Sequence, residues 1–169
     1  AYGQDPKKLV IAGDSAGGGL SLSTVIALRD AGLPLPAALV LLSPWVDLSL
    51  SGNTIKTPAA QDAMLSEDWL TWCAKTYCGQ TSATDPTCSP LYADLTGLPP
   101  ILIHVGTEEV LLDDAKRLAE QTEKYGIPTN LKLYDQVGHV FQFHAGILKE
   151  SNDSIECIGQ FIDKHTESI

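Results

Sequence analysis

The chain has 169 residues, a length typical of one domain that can bury a sizeable core. Its hydrophobic fraction of 44% and charged fraction of 19% are ordinary for a globular protein, and no apolar run approaches membrane-spanning length. The formal net charge of -10 argues against nucleic acid as a partner, because no basic patch is available to neutralise phosphates.

The four cysteines, Cys73, Cys78, Cys88 and Cys157, form no C-x-x-C pair, and no histidine lies at zinc-ligand spacing. This pattern gives no reason to expect a metal site. It favours free thiols in a reducing compartment, and hence a cytoplasmic location. A disulfide among the first three cysteines is the alternative.

The first predicted elements form a strand–helix–strand unit. The apolar run at residues 9–12 predicts a fully buried strand, and a helix is expected over residues 16–31, ended by Gly32 and Pro34. A second buried strand follows over residues 38–42. Two strands joined by a crossover helix indicate a parallel sheet.

Residues 47–95 form a predicted insertion of irregular structure that contains one helix. Ser66 is placed to cap that helix and Gly79 follows its last residue. Because a long insertion between sheet strands usually carries function, we expect a cap over a pocket, with Trp69 and Trp45 as substrate-binding residues. The alternative is that such aromatic side chains only anchor the insertion to the sheet.

Two more strands and two more helices complete the predicted α/β architecture. A buried strand over residues 101–105 precedes an amphipathic helix over about residues 112–125. A fourth strand over residues 131–134 is followed by a final helix over about residues 151–164. That helix is predicted to place these residues on one face: Ile155, Ile158, Phe161 and Ile162.

The segment Gly13-Asp14-Ser15-Ala16-Gly17 joins the first strand to the first helix. Glycines allow a tight turn here, which lifts the serine out of the sheet at the start of the helix. Ser15 is therefore a predicted nucleophile, with the Ala16 N–H and the helix dipole stabilising an oxyanion. The alternative is a glycine-rich turn with an incidental serine. The glycine spacing fits neither a Walker loop nor a dinucleotide fingerprint.

A serine nucleophile needs a base and a third group that orients the base. The carboxyl ends of parallel strands meet at one edge of the sheet, so Glu108 or Glu109 after the third strand and His139 after the fourth should approach Ser15. The chain order of nucleophile, acid and histidine is the hydrolase order. His139 alone follows a glycine in a loop at a strand's carboxyl end, although a solvated loop histidine is the alternative. The remaining histidines are His104, His144 and His165.

Six short motifs follow one another over nearly the whole chain. They are Gly13-Asp14-Ser15-Ala16-Gly17-Gly18, Leu42-Ser43-Pro44-Trp45-Val46-Asp47-Leu48, Ser89-Pro90-Leu91, Leu98-Pro99-Pro100, Glu109-Val110-Leu111-Leu112-Asp113-Asp114 and Gly138-His139-Val140-Phe141. Together they resemble the hormone-sensitive-lipase-like branch of the α/β-hydrolases. The family's acid usually opens an Asp-x-Leu-x-Asp motif, so the resemblance implies Glu109 as the triad acid, with Glu108 as the rival.

One family feature is absent from this sequence. The family carries a His-Gly-Gly-Gly-type loop upstream of the nucleophile, and no such stretch occurs here. The resemblance therefore implies a partial α/β-hydrolase fold: one truncated catalytic domain over residues 1–169, with its N-terminal strands missing. It also implies an unpaired edge at the first strand and suggests a companion N-terminal chain or segment as a partner.

The resemblance implies a serine carboxylic ester hydrolase that acts on short-to-medium acyl esters. Ser15, His139 and Glu109 would form the triad, an acyl-enzyme would be the intermediate, and no metal or organic cofactor is implied. Two other hypotheses stay open. One is a non-catalytic small-molecule binding protein on the same fold, which the retention of all three residues argues against. The other is an inactive fragment.

Overall fold

The computed structural model describes residues 5–56 and 62–166. These residues form a parallel sheet in which the strands are neighbours in chain order: β1 (Val10–Asp14), β2 (Ala38–Leu42), β3 (Ile101–Gly106) and β4 (Thr129–Tyr134). The helices are α1 (Ala16–Asp30), α2 (Glu67–Cys78), α3 (Leu112–Lys124) and α4 (Lys149–Thr166). The expected α/β class, with a parallel sheet flanked by helices, is confirmed.

The two faces of the sheet are covered by different helices. Because side chains alternate along a strand, Leu41 and Ile103 lie on one face, in a core that includes Leu22 of α1 and Leu118 of α3. His104 lies on the other face, where its Nδ1 is 2.8 Å from the Ser154 Oγ of α4. Covered from both sides, β3 is buried along its whole length, as expected for an unbroken apolar strand.

The first strand is less buried than its apolar sequence predicts. Leu9 is 46% exposed, Ala12 is exposed, and Val10 and Ile11 are half-buried, so the expectation of a fully buried strand over residues 9–12 is wrong. Within the described residues β1 pairs with β2 alone. The edge of β1 away from β2 is therefore unpaired within the described residues, and the sheet is open at this strand.

The last helix packs through most of its predicted face, with one exception at Ile155. Three of the predicted residues are half-buried: Ile158, Phe161 and Ile162. Ile155 is 47% exposed, whereas Ser151 and Ser154 are the residues of α4 that are buried. The Ser151 hydroxyl donates to the Phe141 carbonyl at 2.7 Å. Small side chains allow the first turns of the helix to approach closely, and their hydroxyls find buried partners. The most deeply buried positions of α4 are therefore polar ones, which apolar periodicity does not predict.

The connection from β2 to β3 contains α2, and residues 57–61 of it lie outside the described part. The predicted N-cap of helix α2 is confirmed: Ser66 Oγ accepts a hydrogen bond from the Trp69 N–H at 3.3 Å. Gly79, with φ of +60°, follows the last residue of α2 as expected.

The cysteines are free thiols in the structure, and two of them, Cys78 and Cys88, are buried. The reducing compartment inferred from them stays a prediction. None of the helices in the described part of the chain is long and apolar enough to cross a membrane.

Candidate functional site

The turn between β1 and α1 holds Ser15 through its backbone. Its φ of +53° lies in the left-handed region that residues other than glycine rarely adopt. The Ser15 N–H donates to the Leu42 carbonyl and the Ser15 carbonyl accepts from the Trp45 N–H, both at 2.9 Å. The Ser15 hydroxyl forms no hydrogen bond with any described residue.

Two glycines permit the close approach on which this turn depends. A Cβ added to Gly13 would lie 2.2 Å from the Gly17 carbonyl oxygen, and one added to Gly19 would lie 2.2 Å from that of Trp45. No side chain fits into gaps of that size. The glycines thus set the start of α1 against both β1 and the segment after β2.

The start of α1 presents a free backbone donor beside Ser15. Ala16 is the first residue of the helix, and no described residue accepts a hydrogen bond from its N–H. The first turn of α1 contains no acidic residue that would offset the positive end of the helix dipole. The oxyanion-stabilising role of Ala16 stays a prediction.

Glu109 and His139 lie together at the carboxyl ends of β3 and β4. They are 1% and 6% exposed, and Glu109 Oε1 is 3.8 Å from His139 Nδ1. Within residues 5–56 and 62–166, neither of these two atoms has a hydrogen-bond partner. A distance of 3.8 Å is longer than a hydrogen bond, so the two groups face each other in a loose pair.

Glu108, the rival acid, has a different environment. Its side chain is exposed, and its contribution to the loop is a backbone hydrogen bond from its N–H to the Val137 carbonyl at 3.0 Å. The geometry therefore favours Glu109 as the carboxylate that pairs with His139.

The other histidines lie away from this pair. Burial, reinforced by the charge of Lys132, lowers the pKa of His104 to about 4, so this histidine is neutral at physiological pH. His144 and His165 follow β4, and the Nδ1 of each lies within hydrogen-bond distance of a carbonyl in its own segment.

The segment after β2 links the Ser15 turn to Glu109. Trp45 holds the Ser15 carbonyl, and the Ser43 hydroxyl donates to Glu109 Oε2 at 2.8 Å. No hydrogen bond joins Ser15 and His139 directly. The structure thus brings Glu109 and His139 together and connects the Ser15 turn to them through this segment. Sequence reasoning did not single out Ser43, because its partner lies 66 positions away.

A cavity of about 700 Å³ lies between the start of α1 and helix α2. Its lining includes Ala16, Trp45 and Leu48 on one side and Trp72, Cys73 and Tyr77 of α2 on the other. The expected residue Trp45 is thus part of the wall. The other expected residue, Trp69, is not among the lining residues; it is 53% exposed and stacks on Trp72, with ring centroids 5.1 Å apart.

Sequence reasoning missed Trp72 and Tyr77 as pocket residues. The available signal was their spacing, because positions 72, 73, 76 and 77 share one face of a helix. All four of these residues line the cavity.

A model of the alpha/beta hydrolase fold family matches residues 1–143 of the chain. The chain belongs to this family. Among known relatives, an acetyl-hydrolase of Streptomyces hygroscopicus is 42% identical over 160 residues, which cover 95% of this chain and 54% of the relative. An esterase of Acinetobacter venetianus is 36% identical, with 94% of this chain and 53% of the relative covered.

Solved structures agree with this assignment. An esterase from the bacterial hormone-sensitive lipase family superposes with a TM-score of 0.95 and 42% identity, over 98% of this chain and 56% of that one. The resemblance to hormone-sensitive-lipase-like α/β-hydrolases is therefore confirmed. The chain spans about half the length of the curated relatives it matches, and the companion N-terminal segment stays a prediction.

Two buried carboxylates anchor the segment after β2 in this α/β-hydrolase. Asp114 of α3 accepts the Val46 and Asp47 N–H groups at 3.0 and 2.9 Å, and Asp47 pairs with Arg117 at 2.7 Å. Burial by itself raises the pKa of Asp47, but hydrogen bonds from Ser49, Ser51 and Arg117 outweigh it and lower the pKa. These hydrogen bonds and this ion pair hold the segment that carries Ser43 and Trp45.

Proposed function

We propose that this α/β-hydrolase is a serine carboxylic ester hydrolase, with Ser15 as nucleophile, His139 as general base and Glu109 as the acid that orients the base. The observation that carries the proposal is the buried Glu109–His139 pair, in which the facing oxygen and nitrogen have no other described partner. Burying two ionisable groups is costly, and catalysis gives this pair a use. The esterase and acetyl-hydrolase names of similar proteins support the same reaction class.

The proposed reaction proceeds through an acyl-enzyme. The Ser15 oxygen attacks the ester carbonyl while His139 takes the hydroxyl proton, and Glu109 stabilises the imidazolium that forms. The Ala16 N–H donates to the oxyanion. His139 then protonates the departing alcohol. Water, deprotonated by His139, attacks the acyl carbonyl, releasing the acid and restoring the Ser15 hydroxyl.

The cavity supports short-to-medium acyl esters as substrates. Its volume of about 700 Å³ is within the ordinary range for small-molecule sites, and its walls are largely apolar and aromatic. Helix α2 of the insertion forms one wall, which supports the expectation that the insertion at about residues 47–95 provides a cap beside Ser15. Apolar walls exclude water and bind an acyl chain without competing for the carbonyl oxygen.

The first test is the intact mass of the protein after brief exposure to a fluorophosphonate. We expect one stoichiometric adduct, no adduct on Ser15→Ala, and hydrolysis of p-nitrophenyl esters that declines from butyrate to laurate. Ser23→Ala is the matched control, because Ser23 also lines the cavity but lies farther along α1. Folded protein that neither forms the adduct nor hydrolyses the esters would exclude this function and favour a binding protein or an inactive chain.

A further inference from the structure

Ser43 occupies an unusual backbone position at the centre of the site. It follows the last residue of β2, is fully buried and has φ of +45°, in the region that favours glycine. Its N–H donates to the His104 carbonyl of β3 at 2.7 Å. The backbone hydrogen bond fixes Ser43 to the sheet. Strained backbone conformations of this kind cluster at functional sites.

The Ser43 hydroxyl makes two hydrogen bonds, and their directions are determined. A backbone N–H can only donate, so the Val140 N–H donates to Ser43 Oγ, at 3.1 Å. The single hydroxyl hydrogen is thereby left for Glu109 Oε2, at 2.8 Å. Val140 directly follows His139. One buried hydroxyl is therefore bonded both to the acid and to the residue next to the histidine.

The two carboxylate oxygens of Glu109 face different groups. Oε2 of Glu109 is occupied by Ser43, in a charge-assisted bond that is stronger than a neutral one. Oε1 has no other described partner and faces His139 Nδ1 at 3.8 Å. Rotation of the carboxylate away from His139 would break the Ser43 bond, so the hydroxyl holds Oε1 towards the histidine.

We propose that Ser43 is the positioning residue of the acid–histidine pair, aligning Glu109 Oε1 with His139 Nδ1 and holding the histidine loop through Val140. The inference rests on the proposed esterase function, in which this pair supports Ser15. Ser43 acts through Glu109 and His139 and does not touch the substrate.

Two substitutions distinguish the effect of losing the Ser43 hydroxyl from the effect of relaxing its backbone strain. Ser43→Ala and Ser43→Gly both remove the hydroxyl, but only glycine relaxes the positive φ. We expect both to lower kcat on p-nitrophenyl butyrate by about 10- to 100-fold, because misaligned catalytic groups lose rate on that order. KM should change little, since Ser43 is not among the residues that line the cavity. A kcat that Ser43→Gly leaves intact would overturn the proposal.

Ser89→Ala is the matched control. Ser89 is also fully buried, and its hydroxyl accepts the Leu48 N–H at 2.7 Å while donating to the Ala83 carbonyl at 2.6 Å. Like Ser43, it connects two loops, but its hydroxyl donates to a backbone carbonyl and not to Glu109. We expect comparable destabilisation with little loss of kcat. If all three variants lose kcat only in proportion to their unfolded fraction, Ser43 has a structural role and the proposal is wrong.

A proton NMR measurement tests Ser43 even if the chain proves to be no esterase. We expect the carbon-bound ring protons of His139, assigned by the loss of their resonances in His139→Gln, to shift in both Ser43 variants but not in Ser89→Ala. Failure of fluorophosphonate labelling with this pattern intact would reject the esterase and keep the positioning role. His139 ring resonances that stay unchanged in the Ser43 variants would overturn the positioning role.

Discussion

Glu108 and Glu109 are adjacent in the chain, yet their side chains lie in opposite environments. The Glu108 side chain is exposed, while Glu109 is buried between Ser43 and His139. A buried carboxylate beside an imidazole orients it and stabilises its cation, whereas an exposed one is screened by water. The same substitution made at each glutamate should therefore have very different effects on activity.

Glu109→Gln should lower kcat for p-nitrophenyl butyrate by about 10³- to 10⁴-fold, because a neutral amide no longer stabilises the imidazolium. Glu108→Gln makes the same chemical change one residue away and should remain within about twofold of the parent protein. Steady-state kinetics of the two variants provide the measurement. A larger loss in Glu108→Gln would reverse the assignment of the triad acid.

Helix α1 begins in close contact with the segment after β2. Its Gly19 lies against the Trp45 backbone, which in turn holds the Ser15 carbonyl. The helix, the nucleophile turn and the pocket residue Trp45 are therefore parts of one packed unit. Separating any of them would move Ser15 relative to the cavity.

Gly19→Ala should destabilise the protein by roughly 1–3 kcal/mol or more, because the added methyl would meet the Trp45 carbonyl oxygen at 2.2 Å. Gly159→Ala, within α4 and with open space around it, is the matched control and should stabilise by up to about 1 kcal/mol. Urea unfolding of both variants gives the free energies of unfolding. Equal effects would contradict the close approach.

Asp114 of α3 accepts hydrogen bonds from the backbone of the segment after β2. It therefore holds this segment, which carries Ser43 and Trp45, against the helix. Burial raises the pKa of this carboxyl to about 7, even though the Val46 and Asp47 N–H groups oppose the shift. A carboxyl whose pKa is raised on folding binds its proton more tightly in the folded state. Its contribution to stability is complete below about pH 4 and is lost as the pH rises to about 7.

Asp114→Asn should flatten this part of the stability profile, because the amide oxygen can accept the same hydrogen bonds and stays neutral. Between about pH 4 and 7 the parent protein should lose free energy of unfolding relative to the variant, by at least about 1 kcal/mol. Asp47, whose pKa is lowered, acts only in the more acidic range. Denaturant unfolding across this pH range is the measurement, and parallel profiles for the two proteins would refute the assignment.

Local signals in the sequence were sufficient for the elements and for the tight turn that carries Ser15. The strand at residues 38–42, the Ser66 cap and the glycine after α2 agree with the structure, because each depends on residues only a few positions apart. The same holds for Gly13 in the turn at Ser15, where an added Cβ would meet Gly17 and Ser21, whereas Gly19 lies against the distant Trp45. The motifs also identified the family correctly.

Tertiary structure decided which surfaces are buried and which side chains meet. Apolar sequence alone could not show that β1 lies at an edge or that the fully buried residues of α4 are serines, because burial depends on distant partners. Ser43 contacts Glu109 across 66 positions and Val140 across 97, beyond the reach of any local pattern. The sequence by itself determined the elements and which polar side chains each loop carries, because both are local. The folded sheet determined which of those side chains meet, because their contacts join distant parts of the chain.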